Sequence, residues 1–375
     1  MNPVSRPPVH RLFLVAGEAS GDACGAGLIR ALRERGPSLE FAGLGGPLMR
    51  GLDDGIEDWI AEAAVVGLWE VLRRYPFFRR AFHRTLDRIA AFSPGVVVTI
   101  DYPGFNLRLA RALRRRGYRG RLVHYVSPQV WAWNRGRMPE LARLFDRMLC
   151  IFPFEAELWA PHGIDAVFVG HPMVERLGPQ RTGEPRDPGL VALLPGSRSR
   201  EVEKILPVMA EAAALLARGH PGLRFKVAAA NERLAARARA LTAGTPSCEV
   251  VTGGAHALMR TAAAGMVASG TATLESAFFG LPYALVYRVS PLTYEVGRRL
   301  VRVPHLGMVN LLAGREIVPE FIQDQAEPGR IAEALSGLLS DPVRRETMQR
   351  AFEEQIARLG GDGASARAAE AVLAR

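Results

Sequence analysis

Short runs rich in Val, Ile and Leu alternate along this chain with longer stretches of helical periodicity, and that alternation restricts the fold more than any other feature. Strands buried on both faces read as continuous apolar runs, and a run–helix–run order folds into a parallel sheet covered by helices. In the first half the runs are 12–16, 39–42, 96–100, 121–126, 148–151 and 167–169. A Pro, Gly and charge-rich segment at 178–188 has no periodicity and reads as a linker. The alternation then restarts with runs at 190–194, 224–229, 249–251, 265–268 and 283–287. The expected architecture is therefore α/β, with two doubly wound, Rossmann-like domains at 1–177 and 189–343. By analogy with many proteins of such a two-domain architecture, a helical tail, 344–375, is expected to pack back on the first domain.

Length agrees with two domains, because 375 residues exceed what one core ordinarily organises. No run reaches the roughly 20 apolar residues of a membrane-spanning helix, and 12–16 is too short for the core of a signal peptide. Cys24, Cys150 and Cys248 lie far apart, without metal-ligand spacing, as suits a reducing, cytoplasmic compartment. The formal net charge is +10 and is almost wholly arginine, since Lys204 and Lys226 are the only lysines. A basic balance of this kind fits phosphorylated or anionic partners as well as plain solubility.

In doubly wound sheets ligands bind beyond the carboxyl ends of the strands, which directs attention to four loops. "GEASGD" follows the first run and carries Glu18 and Asp22; "DYPGFN" puts Asp101 directly after "GVVVTI". Asp101 reads either as a base held by a strand end or as a turn or N-cap residue, and Asp22 as the cap of the helix that it begins. In "LLPGSRSREVEKILP" the backbone N–H groups of Ser197 and Arg198 sit at a helix start and suit a phosphate, which the guanidinium can also grip. In "VASGTATLESAFFGLP" the small residues Ser269, Gly270 and Thr271 open the next helix, and Glu275 follows one turn on, where a carboxylate can accept ribose hydroxyls. No G-x-G-x-x-G fingerprint appears, which argues against NAD. His171 in "GHPMVE" reads as structural.

Six motifs in order give the chain a family resemblance: "AGEASGD" at 16–22, "YVSPQVWAWNRGR" at 125–137, "GHPMVE" at 170–175, "LPGSRSREV" at 194–202, "ASGTATLE" at 268–275 and "NLLAGREIVPEFIQ" at 310–323. The sequence resembles the lipid A disaccharide synthases, inverting glycosyltransferases of the two-domain glycosyltransferase-B architecture, with Rossmann-like domains facing across a cleft. The resemblance implies transfer of 2,3-diacylglucosamine from its UDP conjugate to 2,3-diacylglucosamine 1-phosphate, giving the β-1′,6-linked disaccharide 1-phosphate and UDP, without metal or cofactor. It further implies Asp101 as the base with Glu18 as rival, Ser197, Arg198, Ser269, Gly270, Thr271 and Glu275 on the UDP moiety, and Asn310 and Gln323 as weaker donor contacts in polar loops. The family's second acid after Asp101 is Gly104 here. A UDP-sugar epimerase, or a binder that has lost catalysis, is the rival reading on the same architecture.

Acylated substrates imply an anionic membrane surface as partner, at the cytoplasmic face of the inner membrane. The segment 65–84 supplies Leu68, Trp69, Leu72, Phe77 and Phe78 interleaved with arginines, the composition of an interfacial segment; the rival reading is a core helix kinked at Pro76. Trp131 and Trp133 read equally as acceptor-site or core aromatics, and a homodimer is compatible with everything above.

Overall fold

A computed structural model describes residues 10–36, 38–63, 75–301 and 303–374, and the chain divides into two compact units, residues 1–175 with 359–375 and residues 176–358. In the first unit the strands are β1 Arg11–Ala16, β2 Glu40–Gly45, β3 Ile56–Asp58, β4 Val96–Ile100, β5 Arg121–Tyr125, β6 Arg147–Cys150 and β7 Asp165–Phe168. They form one sheet of order β3-β2-β1-β4-β5-β6-β7, with every pairing parallel. The second unit holds β8 Asp187–Leu194, β9 Arg224–Ala229, β10 Cys248–Thr252, β11 Ala262–Ala268, β12 Tyr283–Tyr287 and β13 Glu320–Ile322, in the order β10-β9-β8-β11-β12-β13, again all parallel. In each sheet the order reverses beside its first strand, between β1 and β4 and between β8 and β11. Helices cover both faces, so the central strands are wholly buried, in all five residues of β4 and all seven of β11.

Two strands escape the sequence reading, β3 and β13. Each is three residues long, lies at a sheet edge and includes a carboxylate, so neither carries the apolar run that marks a buried strand.

The segment expected to be a linker belongs to the second unit. Arg186 donates to the carbonyls of Met259 and Ala262, at 2.9 and 2.8 Å, and Arg181 lies over the Phe278 ring. The units instead divide at Glu175/Arg176 and again at Arg358/Leu359. The expected tail is likewise split: the helix Pro342–Ala357 stays with the second unit, and only Leu359–Arg375 joins the first. Its helix Ala364–Leu373 packs on the helix Ala19–Arg35, where a Cβ on Gly27 would come within 2.5 Å of the Ser365 hydroxyl. Arg121 and Arg147 donate to carbonyls in the last turn of this terminal helix, where a helix dipole favours cations, and Arg367 donates to the Val169 carbonyl at 2.8 Å. Just past the break, Gly360, at φ +91°, lets the chain run close to Gly170, whose Cα a Cβ there would meet at 3.1 Å.

Candidate active site

The first unit's site lies at its topological switch point, where β1 and β4 end side by side. Beyond β4, Asp101 and Tyr102 both adopt left-handed backbone, φ +46° and +48°. For non-glycine residues that conformation costs about 1–2 kcal/mol each, and it persists only where surrounding contacts dictate it. Those contacts are present. The Asp101 N–H donates to the Tyr125 carbonyl at 2.9 Å, and the Asn106 amide donates to the Asp101 carbonyl at 2.7 Å and to that of Ile100 at 3.2 Å. Trp59 donates from Nε1 to the Ala16 carbonyl at 2.6 Å and sets its ring edge-on to Tyr102. Gly17 is obligatory, because a Cβ there would lie 2.2 Å from the Tyr102 ring.

Burial raises the Asp101 pKa, a shift only partly offset by the Tyr102 N–H, and so increases the carboxylate's proton affinity. Tyr102 is also pushed up, by burial and then by the Glu18 charge, which puts Glu18 beside the same strand ends. The sequence does not mark Asn106 and Trp59 as residues that shape the site. The available signal for Asn106 was an amide in the first turn after "DYPG", where Asn ordinarily bonds backbone.

Asp22 departs from expectation. It lies inside the helix Ala19–Arg35, whose N-cap is Glu18, and its buried carboxylate accepts from the N–H groups of Gly46, Leu48 and Met49 at 2.8 to 3.0 Å. It therefore caps the neighbouring helix, Pro47–Arg50, rather than its own. Nothing lies within 4 Å of where a Gly104 Cβ would sit, so packing does not exclude the second acid at that position. His171 accepts from the Met173 N–H at 3.2 Å and packs on Phe152.

The two tryptophans separate. Trp133 is 43% exposed, whereas Trp131 is buried and donates to Glu155 at 3.1 Å. The other Glu155 oxygen accepts from the N–H groups of Ile151 and Phe152. Burial outweighs these bonds and lifts the Glu155 pKa from 4.5 to about 7. The unfolded chain gives up this proton first, so stability from this group is full below about pH 4.5 and is lost as pH rises through about 7, a swing of about 3 kcal/mol. The melting temperature of the wild type is expected to fall more between pH 5 and pH 8 than that of Glu155→Gln; equal slopes would contradict it.

In the second unit the switch-point loops follow β8 and β11. Gly196, at φ +102°, leaves room for Glu201, whose carboxylate reaches back to the Arg198 N–H at 3.3 Å and pairs with the Arg198 guanidinium at 3.1 Å. This cap comes from Glu201, and it leaves Ser197 and Arg198 exposed at the start of the helix Ser199–Gly219. Arg233, missed in the sequence, donates to the Ser199 hydroxyl at 3.1 Å and brings a second guanidinium to the loop. After β11, Gly270 and Thr271 are exposed at the start of the helix Thr271–Phe278. One turn on, Glu275 accepts from Arg176 at 2.7 Å and from His256 at 3.3 Å. Its burial favours the neutral form, but those two partners prevail and hold the pKa below the usual range, so the group is a carboxylate at neutral pH.

Asn310 and Gln323 do not present free loop amides. Asn310 is fully buried in the helix Met308–Ala313; it donates to the Val318 carbonyl and Glu320 and accepts from the Ile317 and Val318 N–H groups, which uses its whole capacity. Gln323 donates to and accepts from the backbone of Val289, and so fixes the loop that leaves β12. Among the described residues no three His, Cys, Asp or Glu side chains converge as metal ligands. Leu68, Trp69 and Leu72 lie outside the described residues; Phe77 and Phe78 are half-buried in the helix Tyr75–Phe92, beside the exposed Arg79 and Arg80.

Two doubly wound sheets, each with polar and charged loops at its switch point, give the chain the glycosyltransferase-B fold. Solved structures with this fold include a UDP-N-acetylglucosamine 2-epimerase from Neisseria meningitidis bound to UDP-N-acetylglucosamine (TM-score 0.63, 13% identity, 97% of this chain and 99% of that one). A calicheamicin glycosyltransferase is another (TM-score 0.57, 18% identity, 98% and 99%). The profile of the lipid-A-disaccharide synthetase family matches residues 12–374. The lipid-A-disaccharide synthases of Geobacter sulfurreducens and Myxococcus xanthus are each 40% identical, over 97% of both chains for the first and over 99% of this chain and 98% of the relative for the second. The chain belongs to the lipid-A-disaccharide synthetase family and is a glycosyltransferase of lipid A biosynthesis.

Proposed function

We propose that the chain transfers 2,3-diacylglucosamine from UDP-2,3-diacylglucosamine to the 6-hydroxyl of 2,3-diacylglucosamine 1-phosphate with inversion, forming the β-1′,6-linked disaccharide 1-phosphate. The acceptor oxygen forms the new bond to the anomeric carbon, its proton passes to Asp101, and UDP departs with the electron pair of the broken bond. What supports Asp101 as base is its position: a carboxylate of raised proton affinity, held in left-handed backbone beyond β4 by Asn106 and Tyr125. Glu18, at the end of β1, bonds the acceptor. On the second unit, Arg198, Arg233 and the N–H groups around Ser197 receive the diphosphate, as anions are received at helix starts. The loop Ser269–Thr271 admits the nucleotide close to the backbone, and Glu275, oriented by Arg176 and His256, accepts the ribose hydroxyls. Asn310 and Gln323 act on donor binding only by ordering their own loops.

Both substrates are acylated, so the enzyme works against the cytoplasmic face of an anionic inner membrane. Phe77, Phe78, Arg79 and Arg80 at the start of one helix, with an open groove lined by Pro76, Arg79, Arg80 and His83, suit that contact. Mass spectrometry after incubation with the UDP donor and the monosaccharide 1-phosphate tests the reaction. The expected product is the disaccharide 1-phosphate with one equivalent of UDP; UDP with free monosaccharide, or an epimerised donor, would refute it.

A further inference from the structure

The helix Pro291–Leu300, which follows β12 in the second unit, is built inside out. None of its residues is buried. Leu292, Val296 and Leu300 recur at every fourth position, so they form one stripe, and they are 77%, 51% and 49% exposed; Val301 extends it at 42%. The half-buried positions are Tyr294, Glu295 and Gly297. An ordinary surface helix turns its apolar stripe to the core and its polar side to water; this one leaves its apolar stripe in water.

Hydrogen bonds tether the segments on either side of the helix. Gln323 grips both backbone groups of Val289 before it, and Ser290 caps it by accepting from the Thr293 N–H at 3.3 Å. Beyond it, Glu320 accepts from the N–H groups of Leu306 and Gly307 at 2.8 and 2.9 Å. The apolar stripe is therefore carried by a helix whose flanking segments are hydrogen-bonded in place. Arg298 is paired with Glu295 at 2.7 Å, but Arg288 and Arg299 are exposed, and among the described residues no ion pair engages them.

We infer that this helix is a second membrane-contact surface, which sets Leu292, Val296 and Leu300 into the interfacial region of an anionic bilayer while Arg288 and Arg299 meet lipid phosphates. The occupant follows from charge and shape. A second copy of the chain docked by the same face would bring arginine to arginine, in a molecule already at +10. A single acyl chain needs a groove, and the stripe is the convex side of a helix. A broad anionic apolar surface satisfies both the stripe and the unpaired guanidinium groups. The inference rests on the reading that the substrates are met at a membrane, and it assigns the donor-binding unit its own contact there.

Co-sedimentation with phosphatidylglycerol-containing and with phosphatidylcholine vesicles tests it, using the full chain, the combined Leu292→Ser, Val296→Ser and Leu300→Ser variant, an Arg288→Gln, Arg299→Gln variant and a Phe77→Ser, Phe78→Ser variant. The triple-serine variant is expected to lose roughly tenfold or more in affinity for anionic vesicles, and the arginine variant to lose affinity for anionic vesicles alone. Circular dichroism and UDP affinity equal to wild type confirm that the variants are folded. Wild-type vesicle affinity in the triple-serine variant, with loss only in the Phe77, Phe78 variant, overturns this inference and leaves the membrane reading standing. A wild-type chain that binds neither vesicle overturns both. Unchanged vesicle affinity with a dimer converted to monomer in sedimentation velocity makes the occupant a second copy and also overturns the inference.

Discussion

Asp101→Asn is expected to lower the transfer rate by roughly 100-fold or more while leaving donor affinity within about twofold, because it removes a general base without touching the second unit. Asparagine tolerates left-handed backbone as well as aspartate does, so the strained turn at 101–102 survives the change and the loss reports chemistry rather than folding. The pH profile gives a second reading. Burial raises the Asp101 pKa, so the wild-type rate falls as pH drops through that raised value, and this acid limb disappears in the asparagine variant. Glu18→Gln, which removes a neighbouring hydrogen-bonding group, is expected to cost less than about tenfold. A severe loss in Glu18→Gln with Asp101→Asn intact would move the base to the end of β1.

Arg198→Ala is expected to have the second large effect, confined to the donor. A guanidinium that grips a diphosphate contributes a charge-assisted hydrogen bond of about 1.5–3 kcal/mol, which corresponds to a rise of roughly 10- to 150-fold in the KM for the UDP donor. Stability should change little. Among the described residues Arg198 pairs with Glu201, an exposed pair in which the arginine side chain is 57% accessible, and such pairs contribute under about 1 kcal/mol. A melting temperature well below wild type, with donor KM unchanged, would make Arg198 a helix-capping residue and nothing more.

The sheets were legible in the sequence because their central strands are buried on both faces and so spell themselves as apolar runs. β4, "VVVTI", and β11, "AAAGMVA", need no tertiary information to be found. The edge strands β3 and β13 do, since three residues with one face open carry no pattern of their own. The site loops were legible for the same reason as the strands: in a doubly wound sheet the strand's end determines where a loop residue sits, which located Glu18, Asp101, Arg198 and Thr271.

What the sequence concealed is pairing across distance. Asp22 looks like a cap for its own helix until its three N–H partners prove to lie between 24 and 27 residues away. Asn310 and Gln323 look like free loop amides, yet one holds backbone 7 and 8 residues on and the other grips Val289, 34 residues back. The helix Pro291–Leu300 has an unremarkable amphipathic pattern, and only the folded chain reveals that its apolar side is the outer one.

In the proposed reaction the work is divided between two switch points, with proton removal beside β1 and β4 and donor diphosphate binding beside β8 and β11. Calorimetric titration of UDP into Asp101→Asn and Arg198→Ala, side by side with wild type, tests that division most directly. The predicted result is a UDP affinity equal to wild type in Asp101→Asn and weakened roughly tenfold or more in Arg198→Ala. Wild-type affinity in Arg198→Ala, or lost affinity in a folded Asp101→Asn, would contradict it.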